Sequence, residues 1–170
     1  MMADANLEVK ITYEQNEIKK AISYYILRVY GIRTYAIIVY PILVAAVAFS
    51  LIFSEYALLS IVFILAGYIL YYIYYQRPID GYLKFYRKRE GCIYGFSNDG
   101  VTVAGEEVQS QFLWSVFKKA YEIPVAFLLL DDNKFIYVFS KSCFRDNQSN
   151  EQMHKLLSEK FPNFREYRNR

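Results

Sequence analysis

The sequence predicts an α+β membrane protein in which a two-helix transmembrane hairpin is inserted in an antiparallel β-sheet or barrel that ends in a C-terminal helix. Two observations carry this prediction. Residues 34–75 form an apolar and aromatic run whose only charged side chain is Glu55. Strand-like segments separated by turn residues then fill the sequence from Cys92 to Phe139, and an amphipathic helical pattern follows them.

The N-terminal residues 1–33 predict a strand followed by an amphipathic helix. Leu7 to Tyr13 alternates apolar and polar side chains, which is the period of a half-buried strand. Apolar residues then recur at helical spacing between Ile18 and Val29, with charged residues between them. We expect Gly31 to mark the bend into the next segment.

Two apolar blocks predict the hairpin over residues 34–75. The blocks run from Thr34 to Phe53 and from Tyr56 to Tyr75. A helix of about 20 residues rises roughly 30 Å, which matches the hydrocarbon core of a bilayer. Tyrosines cluster near the block ends, where amphipathic rings favour the head-group level. Ser54 and Glu55 form the predicted tight turn.

The distribution of basic residues predicts the orientation of the hairpin. Arg28 and Arg33 precede it, a basic juxtamembrane segment over residues 76–91 follows it, and the predicted turn contains no Lys or Arg. Because Lys and Arg stay on the cytoplasmic side, we expect a multi-pass protein of the bacterial plasma (inner) membrane with both termini cytoplasmic. No cleavable signal peptide is predicted. In this compartment Cys92 and Cys143 are expected to be reduced, structural thiols.

The remaining sequence predicts a cytoplasmic domain over residues 92–164. Its five predicted strands are Cys92–Ser97, Val101–Ala104, Val108–Leu113, Val125–Leu130 and Phe135–Phe139. Asn98-Asp99-Gly100 predicts a hairpin turn, because Asp and Gly tolerate positive φ. A helix is predicted from Asn150 to Phe161, and the tail from Arg165 to Arg170 is expected to fray. Strands closed by one amphipathic helix are the pattern of a pleckstrin-homology-like (PH-like) domain.

This layout resembles the uncharacterised bacterial YcxB-like family. The residues that carry the resemblance are Phe96-Ser97-Asn98-Asp99-Gly100-Val101, Trp114-Ser115-Val116, Lys118-Lys119, Tyr121-Glu122, Phe127-Leu128-Leu129-Leu130, Phe135-Ile136-Tyr137-Val138-Phe139 and Ser140-Lys141-Ser142-Cys143-Phe144. The family usually has Pro-Lys where this chain has Ser140-Lys141. The resemblance implies a two-span membrane protein with a PH-like cytoplasmic domain, and it implies no activity.

The sequence contains no recognisable set of catalytic, metal or nucleotide-binding residues. His154 is its only histidine, and Cys92 and Cys143 lack the spacing of a metal site. No glycine-rich phosphate loop occurs, and nothing in the spacing places His154 beside a nucleophile. We therefore predict a protein that is not an enzyme and has no cofactor.

Basic and aromatic residues are the candidates for contact with a partner or a lipid. In the juxtamembrane segment they are Arg77, Lys84, Arg87, Lys88 and Arg89; in the cytoplasmic domain they are Trp114, Lys118, Lys119, Lys141 and Arg145. The juxtamembrane charges either bind anionic lipid heads or only set orientation. Trp114 either anchors a partner or fills the core. The last four basic residues either line a basic mouth for lipid heads or an acidic partner, or are simply solvated.

The net charge of +3 is too small to indicate nucleic acid. The predicted partners are therefore the phospholipid bilayer and a protein or a second copy of the chain. We predict a membrane-anchored binding or scaffold module that recognises a protein or lipid at the cytoplasmic membrane face. The alternative from another class is an immunity protein that protects against a membrane-acting toxin.

Overall fold

The computed structural model describes residues 7–12, 14–53, 57–106 and 109–167, without the side chains of residues 33–35 and Ala57. Within these ranges the chain forms two compact units. Unit 1 comprises Met1–Ala21 and Phe85–Arg170, and unit 2 comprises Ile22–Lys84. The predicted turn at Ser54 and Glu55 lies outside the described residues, as do Tyr13 and Val108 of two predicted strands.

The first sheet of unit 1 has the strand order β1-β2-β3-β4, and all its pairs are antiparallel. Its strands are β1 (Leu7–Lys10), β2 (Ile93–Phe96), β3 (Gly100–Ala104) and β4 (Gln109–Leu113). The alternation of Leu7 and Val9 with Glu8 and Lys10 places the two apolar side chains in the core. The N-terminal segment therefore joins a sheet formed far along the chain.

The second sheet has the order β7-β6-β5-β8 and is mixed, because β5 and β8 run parallel. Its strands are β5 (Phe117–Ile123), β6 (Ala126–Asp131), β7 (Ile136–Ser140) and β8 (Arg165–Glu166). Helix α5 (Asn147–Lys160) lies between β7 and β8 in the sequence. Its N-cap is Asp146, whose carboxylate accepts a hydrogen bond of 2.7 Å from the Ser149 amide.

One hydrophobic core joins both sheets to α5. Phe96, Phe139, Met153 and Leu157 are almost completely inaccessible to solvent within it. The Phe96 and Phe139 rings meet edge to face at 5.0 Å. Burying each such side chain contributes roughly 1.5–3 kcal/mol, so this aromatic and aliphatic core is the main source of stability in unit 1.

Helical segments connect β1 to β2, and unit 2 contains all of them except residues 15–21 and 85–87, which belong to unit 1. Helix α1 (Gln15–Tyr24) leads into a π-helical turn at Tyr25–Val29, and Gly31, at φ +84°, separates that turn from α2 (Ile32–Ile52). Helix α3 (Ala57–Tyr71) packs against α2 and continues through a second π-helical turn (Tyr72–Gln76) into α4 (Arg77–Arg87). The left-handed backbone at Gly31 confirms the predicted bend.

The prediction of a two-span hairpin is wrong. Among the described residues one helix, Leu58–Arg87, is long and apolar enough to cross a membrane, and its 30 residues rise about 45 Å. The apolar stretch Ala36–Ile52, which is part of α2, does not reach that length. The apolar run in the sequence was divided into two equal blocks, whereas the helices that it forms differ in length.

The prediction of a single PH-like antiparallel sheet or barrel is also wrong. The strands form two four-stranded sheets, and the second contains a parallel pair. Two of the strands in that sheet were not predicted. After Phe117, β5 has the exposed pair Lys118 and Lys119 and then a run of buried residues, so it lacks an alternating pattern. β8 has only two residues, in the tail that was expected to fray.

Candidate functional site

The segment Ser140–Cys143, which begins at the last residue of β7, is the centre of a polar cluster in unit 1. The Ser140 and Ser142 hydroxyls both donate to one carboxylate oxygen of Glu17, which α1 supplies. The Cys143 sulfur lies 3.8 Å from the Thr12 hydroxyl. A residue from the N-terminal part of the chain is thereby bound to the end of the second sheet.

The hydrogen bonds of this cluster stabilise the charged form of Glu17. Partial burial by itself raises the pKa of its carboxyl group. The hydrogen bonds from Ser140, Ser142 and Glu14 and the nearby Lys20 ammonium together outweigh burial and bring the pKa of Glu17 below its ordinary value. Glu17 is therefore a stably ionised acceptor, which does not favour a role as a proton donor near neutral pH.

A second carboxylate, Glu122 on β5, lies between two basic side chains. One of its oxygens is 2.5 Å from the Lys141 ammonium and the other is 2.5 Å from Nδ1 of His154 on α5. The Glu122 side chain is 12% exposed, compared with 29% for Lys141 and 44% for His154. The Lys141 ammonium also lies 5.2 Å above the Phe127 ring, and the His154 ring meets Phe164 edge to face. Glu122 thus connects β5, the end of β7 and α5.

These contacts do not assemble a nucleophile with its base. His154 contacts Glu122, whereas Ser142 contacts Glu17 and Cys143 contacts Thr12. The described residues contain no group of three or more His, Cys, Asp or Glu side chains that could hold a metal ion. The contacts of the cluster connect secondary-structure elements that are far apart in the sequence. The prediction that the protein is not an enzyme stays a prediction.

The four residues of the predicted basic mouth are not brought together. Lys118 and Lys119 lie where β5 begins, and Lys118 pairs with Asp132 at 3.4 Å. Lys141 follows β7 at the other end of the same sheet, because Ser140 pairs with Ala126 and Ala126 with Ile123. The two ends are roughly 15 Å apart. Arg145 is exposed just before α5, and Lys141 is bound to Glu122.

Trp114 is packed into unit 1. Its indole N–H donates to the Ser97 carbonyl at 3.0 Å, and its ring contacts Phe96, Phe117 and Phe161. The indole hydrogen bond is the partner that a largely buried tryptophan usually has. These contacts favour the core role of Trp114 over the role of a partner anchor.

The juxtamembrane basic residues fall into two groups. Arg77, Lys84 and Arg87 on α4 are exposed, and so is Lys88 just after it. Arg89 is different: its guanidinium lies 4.3 Å from the centre of the Phe85 ring and donates to the Tyr94 hydroxyl at 3.0 Å. Burial raises the pKa of Tyr94, and the contact with Arg89 opposes that rise. Arg89 is therefore part of the packing of unit 1, whereas the other four side chains are exposed.

Unit 2 contains a groove of about 700 Å³ between α2 and α3. Its lining residues are Tyr40, Leu43, Val44, Val47, Phe63, Ile64, Gly67, Tyr68 and Tyr71. Large apolar side chains on both helices also remain exposed outside the groove, including Ile52 at 77% and Leu58 at 79%. So much exposed apolar surface is typical of a segment that contacts lipid or another protein.

Sequence reasoning did not identify Glu17 or Glu122 as site residues and gave His154 no functional role. The three residues are separated by long stretches of sequence, so only the folded chain shows that they surround Ser140–Cys143. Comparison of the chain with protein-family models, with curated proteins and with solved structures found no significant match. The resemblance to the YcxB-like family therefore stays a prediction.

Proposed function

We propose that this protein is a membrane-anchored binding module that contacts anionic lipid heads at the inner face of the plasma membrane. The observation that carries the proposal is the helix Leu58–Arg87, whose apolar residues lead without a break into the exposed basic residues of α4. A cation near an anionic membrane surface contributes about 1 kcal/mol. Arg77, Lys84 and Arg87 together would contribute about 3 kcal/mol.

The basic end of this helix supports a cytoplasmic location for α4, because Lys and Arg are retained on that side. β1 pairs with β2, so the segments before α1 and after α4 belong to one sheet. Nothing in the described part of the chain favours the toxin-immunity alternative over this binding role.

The test is cell-free synthesis of the full chain in the presence of phosphatidylcholine vesicles, with and without phosphatidylglycerol, followed by flotation. We expect the anionic lipid to raise the vesicle-bound fraction. The double substitution Lys84→Glu/Arg87→Glu should abolish that increase, because it replaces two attractive charges with two repulsive ones.

The matched control is Lys10→Glu/Lys155→Glu, which makes the same change in total charge at exposed positions of unit 1. It should keep the response to phosphatidylglycerol. If both double variants lost the response to phosphatidylglycerol equally, only the total charge would matter. If the wild type bound vesicles without any lipid preference, the proposed contact with lipid heads would be refuted.

A further inference from the structure

The groove between α2 and α3 has a gradient of polarity along its length. Few residues separate the two helices in the sequence, so the packed pair runs antiparallel. Val47 and Phe63 therefore lie toward one end of the groove, and Tyr40 and Tyr71 toward the other. The lining is aliphatic and aromatic throughout, and all three of its hydroxyl groups belong to the tyrosines of the second end. Such a gradient fits a molecule with an apolar chain and a polar head.

The dimensions of the groove fit one acyl chain within one leaflet. Between Phe63 and Tyr71, α3 rises about 12 Å, and half of a hydrocarbon core measures roughly 15 Å. The volume of about 700 Å³ lies within the range of roughly 300–1,000 Å³ that is typical of small-ligand sites. Gly67 keeps the groove open: a Cβ atom there would lie in ordinary contact with Leu43, at 3.5 Å, and a longer side chain would fill the space.

The described charged side chains of unit 2 are predominantly basic. Arg77 follows Tyr71 by six residues, or about 9 Å of helix, and Arg28 and Lys84 are the other described basic side chains of unit 2. All three are exposed. The described acidic side chain of this unit, Asp80, accepts a hydrogen bond from Gln76 at 3.3 Å. An anionic head group is therefore favoured over a neutral one at this end.

We infer that the groove binds one acyl chain of an anionic phospholipid, with the head group at the level of Tyr40, Tyr68 and Tyr71 and its phosphate close to Arg77. This inference rests on the proposed membrane location. It adds a specific lipid site to the general contact between α4 and the membrane surface. A specifically bound lipid would remain on the protein when the bulk bilayer is removed.

The experiment is native mass spectrometry of the full chain purified in mild detergent with palmitoyl-oleoyl phosphatidylglycerol or the matching phosphatidylcholine. We expect one retained lipid and a preference for phosphatidylglycerol. Gly67→Leu should remove both lipids, because the leucine occupies the groove. Arg77→Gln should lower the preference for phosphatidylglycerol over phosphatidylcholine about fivefold, the ratio that corresponds to about 1 kcal/mol. The acyl chain of the lipid should still occupy the groove in this variant.

The control Val62→Leu enlarges an exposed residue of α3 outside the groove and should keep the lipid. Retention of lipid by Gly67→Leu would overturn the inference, and so would a lipid-free dimer in which a second copy covers the groove. Flotation of the same variants separates the two proposals. If Gly67→Leu still floats with vesicles and still retains lipid, the groove inference fails and the membrane proposal stands.

Discussion

Glu122 is held by basic side chains from two different elements. Lys141 reaches it from the end of β7 and His154 from α5, both at 2.5 Å. A largely buried ion pair does not by itself prove net stabilisation, because desolvation opposes the attraction. Removing one member is costly, however, since the remaining charges lose their partner. The contribution of Glu122 is therefore best measured by substitution.

We predict that Glu122→Gln lowers the free energy of unfolding of unit 1 by about 2 kcal/mol, below the full cost for a buried pair because both partners are partly exposed. Trp114, the only tryptophan, reports this transition by its fluorescence in urea. The control Glu159→Gln, at an exposed position of α5, should change the free energy of unfolding by less than about 0.5 kcal/mol. An additional Lys141→Met substitution should cost less in the Glu122→Gln background than alone, and strictly additive effects would contradict the contact.

Glu17 makes the stability of unit 1 depend on pH in the acidic range. Its folded-state pKa is below its ordinary value of 4.5, so the unfolded chain binds the proton more readily. The contribution is complete above the unfolded pKa and is lost as pH falls through the folded pKa. Compared with Glu17→Gln, the wild type should have a stability advantage that is constant above about pH 5.5 and shrinks below about pH 4. The free energy of unfolding of both proteins is measured by urea titration at each pH. If the difference between them did not change with pH, this linkage would be disproved.

Among the elements, the β3–β4 pair depends on a glycine for a reason that the sequence did not reveal. Gly100 was expected to supply positive φ in a turn, but the described glycines with positive φ are Gly31 and Gly91. Gly100 instead begins β3, where a Cβ atom would lie 2.1 Å from the backbone carbonyl oxygen of Phe112. The close approach of β4 therefore excludes any side chain at this position.

Gly100→Ala should destabilise unit 1 by about 2 kcal/mol or more, because the clash is with backbone and β4 must move to relieve it. Hydrogen exchange should be faster at the backbone N–H groups that pair β3 with β4. Gly81→Ala is the control: nothing lies within 4 Å of its added Cβ atom, so the transition of unit 1 should be unchanged. Unchanged exchange in Gly100→Ala would mean that the strands are farther apart than the structure shows.

Elements with a clear period were predictable, and those without one were not. The alternation in Leu7–Lys10 and the apolar spacing in α5 identified a strand and a helix within a few residues of their observed bounds. β5 was missed because its buried and exposed residues follow no simple period. The two π-helical turns also lack a sequence signature. The contacts of Glu17 and Glu122 depend on tertiary structure alone, so composition and spacing could not predict them.

For the whole molecule, the decisive physical contrast is between the two units. Unit 1 buries its apolar residues in one core, whereas the helices of unit 2 leave theirs largely exposed. In water an apolar surface of this extent would promote association, because each exposed side chain loses the free energy that burial would provide. A hydrocarbon surrounding removes that penalty, and the helix Leu58–Arg87 has the length to enter one.

A charge in the middle of α3 should therefore impair membrane insertion. Leu65 is exposed and lies outside the α2–α3 groove. Leu65→Arg should make insertion less favourable by about 3 kcal/mol, since leucine favours the centre of a membrane helix and arginine opposes it. The measurement is the fraction of the expressed chain that stays in the membrane pellet after alkaline extraction. Gln152→Arg adds the same charge at an exposed position of α5 and should stay with the membrane like the wild type. If Leu65→Arg is retained equally well, α3 does not enter the hydrocarbon core, and its apolar surface must be covered by protein.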